Sequence, residues 1–130
     1  MKIYVLLSLF IIGQFGTISA QPQSLQLSQL PGIAPETNVN PDGYPRMMSD
    51  RSVIFSIKAP EAQHIQVHVG IGNHFDMKKG DDGVWTVKTS PLVPGFHYYS
   101  LVIDGVSFSD PASESFYGGG RMSSAIDIPE

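Results

Sequence analysis

The sequence predicts an all-β chain folded as a single antiparallel β-sandwich. Short segments from Ser52 onward alternate apolar and polar residues with period 2. Turn signals (APEA, KKGDDG, PLVPG, DG) separate them. No stretch of ten or more residues after the first 20 carries the apolar stripe of a helix.

The strands follow in chain order. SVIFSIK, residues 52–58, alternates Val53, Phe55 and Ile57 with Ser52, Ser56 and Lys58. QHIQVHV sets Ile65, Val67 and Val69 against Gln63, Gln66, His64 and His68. GVWTVKT places Trp85 and Val87 on one side and Thr86 and Lys88 on the other. PGFHYYSLVIDG is apolar on both faces: Tyr99, Leu101 and Ile103 on one, Phe96, Tyr98 and Val102 on the other. Asp104-Gly105 signals a tight hairpin, because such turns need positive φ. VSF and SAIDI complete the set, the latter with Ile126 and Ile128. The expected core is Val53, Phe55, Ile57, Ile65, Val67, Trp85, Val87, Tyr99, Leu101 and Ile103.

Between the last two strands lies SESFYGGGRMSS, residues 113–124. Three consecutive glycines are costly in a strand. The segment reads as a loop presenting Phe116, Tyr117 and Arg121, or as a flexible connector before the last strand.

The N-terminus has a different character. Lys2, an apolar run of 11 residues (IYVLLSLFIIG) and small residues up to Ala20 describe a secretory signal, residues 1–20. The run is shorter than the roughly 20 residues a membrane span needs. The expected location is secreted or periplasmic, with no membrane association after cleavage. Residues 21–47, rich in Gln, Pro, Ser and Asn, read as a flexible segment. The sandwich is expected over 48–130.

Composition narrows the function classes. With 0 Cys, no disulfide supports the exported domain. Loss of Lys2 leaves 7 basic against 12 acidic side chains, which disfavours nucleic acid as a partner. No G-x-S-x-G elbow, phosphate-binding loop or dinucleotide fingerprint occurs. His64 and His68 stand roughly 13 Å apart along one strand, too far to share a metal ion. No catalytic residue, metal or cofactor is expected.

The residues VIFSIKAPEAQHIQVHV, GVWTV, PGFHYYSLVIDG and DPAS resemble an immunoglobulin-like, early-set sandwich of the carbohydrate-binding module family 48 type. PGFHYYSLVIDG and DPASESFYGGGRMSS resemble more closely one subgroup. It comprises the N-terminal domains of secreted bacterial carbohydrate esterases of family 1, the feruloyl-esterase-like enzymes. The resemblance spans about residues 48–130. It implies a downstream esterase catalytic domain as partner and a xylan-type polysaccharide as substrate. By this resemblance the starch-binding lysine falls at Ser100, the second tryptophan near Ser107 and the first near Phe75, so no starch site is implied.

The sequence thus supports an accessory module that packs on a catalytic domain, or an autonomous binder of xylan-type chains. The second apolar face decides between them. Docking, burial inside the domain and a sugar platform each explain it, and Val102 adds nothing to ring stacking. Candidate contacts to carbohydrate or to a partner domain are Phe75, Phe96, Tyr98, Phe116, Tyr117 and Arg121.

Overall fold

The computed structural model describes residues 30–130; the signal segment expected over 1–20 lies outside the described residues. The described chain is the antiparallel sandwich that the alternation predicts, of the immunoglobulin-like type that the resemblance implies. Its strands are β1 (Arg46–Met47), β2 (Val53–Lys58), β3 (Ile65–Val69), β4 (Asn73–Asp76), β5 (Lys78–Lys79), β6 (Val84–Lys88), β7 (Gly95–Ile103), β8 (Val106–Phe108), β9 (Ser115–Gly118) and β10 (Arg121–Ile128). One sheet has the order β1-β2-β6-β5. The other runs β4-β3-β7-β10-β9, with β8 also paired to β7.

The period-2 residues fill the space between the sheets. Val53, Phe55, Ile65, Val67, Trp85, Tyr99 and Leu101 are buried, while Ile57, Val87 and Ile103 pack against them from the rim. Phe55 of one sheet meets Tyr99 of the other with ring centroids 5.0 Å apart. The Trp85 indole donates to the Ala59 carbonyl at 2.9 Å, so its one polar atom is satisfied in the core. Met47, Ala62, Val69, Met77, Leu92, Ile126 and Ile128 complete the core.

A polar knot ties the DPAS segment to both neighbours. The Tyr99 phenol donates to Asp110 Oδ2 at 2.9 Å, and Asp110 N donates to Ser124 Oγ at 2.7 Å. Burial pushes the Asp110 carboxyl up, opposed by hydrogen bonds from the Ala112 amide and Tyr99.

Two segments differ from expectation. Residues 30–47, expected as a flexible stretch outside the sandwich, supply β1 and the isolated bridges Ile33↔Met47 and Asn38↔Ser113. The Arg46 guanidinium gathers the carbonyls of Pro31, Gly32 and Pro41 at 2.8–3.2 Å. These bonds reach backbone, so no side-chain periodicity announces them. The segment 113–124, expected as a loop, forms the β9–β10 hairpin with Gly118 opposite Arg121. Gly119 and Gly120, at φ 61° and 82°, form its two-residue turn, as Asp104 and Gly105 do for β7–β8.

Candidate functional site

The outer face of the six-stranded sheet holds the candidate site. Register fixes which side chains share that face. Val67 opposes Leu101 and Phe75 on the inner side, so His68, Ser100 and His74 point outward together. Along β7 the outward residues are Phe96, Tyr98, Ser100 and Val102; along β10 they include Arg121 and Ser123, with Phe116 opposite Ser123.

Three aromatic rings form a ridge here. Phe96 packs edge-on against Tyr98 (centroids 5.3 Å, 86°) and against Phe116 (5.2 Å, 85°). Phe96 is 46% and Tyr98 39% exposed. The Tyr98 hydroxyl donates to the Tyr117 carbonyl at 3.3 Å, which fastens β7 to the hairpin. Edge-on rings offer each other their complementary charge distributions but present no flat platform for a pyranose.

Beside the ridge lies a groove of about 360 Å³, lined by His68, His74, Tyr98, Ser100, Ser107, Arg121 and Ser123 among others. His68 and His74 stack with centroids 3.8 Å apart and planes 13° apart. Asp76 Oδ1 accepts from Gln66 Nε2 at 2.9 Å and contacts His64 Nε2 at 2.9 Å. Hydrogen bonds from Gln66 and then His64 hold its carboxyl below the ordinary range. With its amide nitrogen committed to Asp76, Gln66 turns Oε1 to His68 Nε2 at 3.0 Å, so that nitrogen carries the proton. Burial, and after it the neighbouring His74, holds His68 below the usual histidine value. No group of three or more His, Asp or Glu among the described residues is arranged to hold a metal ion.

The six sequence candidates divide unevenly. Phe96, Tyr98 and Phe116 converge, and Arg121 borders the groove next to Tyr98. Tyr117 opposes Met122 on the other side of the hairpin and is 73% exposed. Phe75, expected as an exposed contact, faces inward opposite Val67 and packs against the core. The turn at 70–72 sets that parity. From the sequence, His68 enters only as a histidine too far from His64 to share a metal ion, and neither His74 nor Ser123 is among the candidates. The signal for the pair is their symmetry about Ile71, which a two-strand hairpin converts into direct opposition.

No family model matches the chain. It is 40% identical over 89 residues to an endo-1,4-beta-xylanase/feruloyl esterase of Xylanibacter ruminicola. That match takes in 66% of this chain and 12% of the relative, so the chain spans about an eighth of the relative's length. Among solved structures, it is similar to a type I pullulanase of Bacillus subtilis complexed with maltose (17% identity, TM-score 0.47, 60% of this chain and 12% of that one). It is also similar to a ligand-free pullulanase of Klebsiella pneumoniae (19% identity, TM-score 0.49, 65% of this chain and 10% of that one). No helix among the described residues is long and apolar enough to cross a membrane.

Proposed function

We propose that this chain is a non-catalytic accessory module of a secreted carbohydrate esterase of the feruloyl or acetyl-xylan type. Its aromatic ridge packs on a linked catalytic domain, and the hairpin carrying Tyr117 and Arg121 helps to shape the polysaccharide cleft.

The observation behind this reading is the Phe96–Tyr98–Phe116 ridge, in which Phe96 contacts both other rings on the solvent side of a sheet. Contiguous exposed apolar surface marks an interaction site, and aromatic residues are enriched where proteins meet. The edge-on geometry favours a protein partner over a sugar ring. The match to a small share of a much longer xylanase/feruloyl esterase supports a linked enzyme domain.

Reading the coding sequence past codon 130 tests the linkage; an open frame with G-x-S-x-G is expected. In the linked protein, Tyr98→Ser is expected to lower turnover of feruloylated xylan and to leave methyl ferulate hydrolysis unchanged. Equal activity on both substrates would refute the docking role.

A further inference from the structure

We propose that the groove between the His68–His74 stack and Arg121 binds the carboxylate of an acidic sugar, a uronate carried on a xylan-type chain. The saccharide half of this inference rests on the accessory-module reading; the carboxylate half rests on the groove.

The groove floor carries two hydroxyls free to bond a ligand. Ser100 is 6% and Ser123 4% exposed, and both open into the groove. Ser52, Thr89, Ser113 and Ser124, equally buried, each bond their hydroxyl within the domain. Neither Ser100 nor Ser123 shows a side-chain hydrogen bond to any described residue, and neither hydroxyl is fully enclosed: the enclosed, unpaired side-chain atoms among the described residues are Thr37 Oγ1 and Asn38 Oδ1. A ligand oxygen seated in the groove would accept from both.

The charge at the rim is also uncommitted. Arg121 has no carboxylate within 4.0 Å among the described residues, whose ion pairs are His64–Asp76 and Lys88–Asp50. No Asp or Glu lines the groove. A guanidinium presents a planar fork that matches a carboxylate in bidentate fashion. The volume falls at the low end of small-ligand sites, suited to a single sugar residue rather than a long flat stack. Burial, and after it His74, disfavours a charge on His68, so Arg121 supplies the positive charge and Ser100 and Ser123 supply the directional bonds.

The test compares three probes on the full chain by NMR titration: sodium glucuronate, glucose and sodium ferulate. Glucuronate is expected to shift the Ser100, Ser123 and Arg121 signals, and glucose, which lacks the C6 carboxylate, to leave them in place. In affinity gels, glucuronoxylan is expected to retard the chain more than neutral arabinoxylan or starch. Arg121→Gln is expected to weaken the glucuronoxylan effect about tenfold or more, Arg121→Lys to restore it in part, and Ser100→Ala to weaken it without unfolding the chain. Equal response to glucuronate and glucose, a response to ferulate alone, or full retardation of Arg121→Gln would each overturn the site. None of these outcomes touches the ridge, whose failure appears separately in the xylan-against-methyl-ferulate comparison.

Discussion

The ring of Tyr98 lies across the backbone of Gly118, so close that a methyl group at 118 would overlap its Cζ, Cε1 and hydroxyl. Glycine is therefore required at 118 by its neighbour, and the pair locks the hairpin to β7. Gly118→Ala should force the ring outward and cost about 1 kcal/mol, the low end for overpacking because the ring end can swing into solvent. In a Tyr98→Ser background the same change should be neutral or stabilising, since alanine suits a strand better than glycine. Urea melts of the two single variants and the double variant measure the coupling. Additive effects would mean that the two residues do not touch.

Tyr98→Ser alone should lower stability by only about 1 kcal/mol, the scale of one edge-on aromatic contact. Its larger effect should be on solubility, which should rise as an exposed ring is removed. A loss of several kcal/mol in the melt would show that this face is core.

How much of this was legible in the sequence varies by element. The β7 alternation announced both of its faces, and Asp104-Gly105 announced its turn, because each signal lies in contiguous residues. In the β9–β10 hairpin the end of β10 was legible through Ile126 and Ile128, whereas β9 and its turn were hidden because three consecutive glycines have no side chains to alternate. Residues 30–47 were hidden because Arg46 and Asn38 bond to backbone carbonyls, which leave no period. Phe75 and the histidine stack depended on the register across the turn at 70–72, which propensity does not specify.

Trp85→Ala should cost about 3–5 kcal/mol. The change empties a large core volume and strands the Ala59 carbonyl that the indole now satisfies. A domain of this size has little more stability than that to lose. Chemical denaturation should show the variant largely unfolded in dilute buffer; a shift of a degree or two in its melt would place the indole in solvent.

Phe75→Ala should behave as a partial core truncation. The ring faces Val67 from β4 but keeps some exposure, so a loss of about 2 kcal/mol is expected, below that of a fully buried phenylalanine. Retardation on any polysaccharide should stay that of the parent chain. A parent-like melt with altered retardation would return Phe75 to the outer surface.

Asp110 should give the domain a pH dependence opposite to that of its surface carboxylates. Burial raises its folded-state pKa above the ordinary 3.8. Below 3.8 the folded and unfolded chains both hold the proton. As pH rises, the unfolded chain releases it first, so the folded state binds more protons and stability falls. The fall continues until the folded carboxyl ionises as well. Asp50 and Asp76, whose values are lowered, act in the other direction and lose their contribution as pH falls. Comparison with Asp110→Asn at each pH cancels those terms. The amide preserves the shape of the knot, with its oxygen on the Ala112 amide and its nitrogen facing the Tyr99 hydroxyl as a donor. Relative to Asp110→Asn, the parent chain should lose stability as pH rises from about 4 toward neutrality. Urea midpoints measured across that range check the sign, and a parent chain that gains on the variant would mean that the Tyr99 and Ala112 bonds outweigh the burial of the charge.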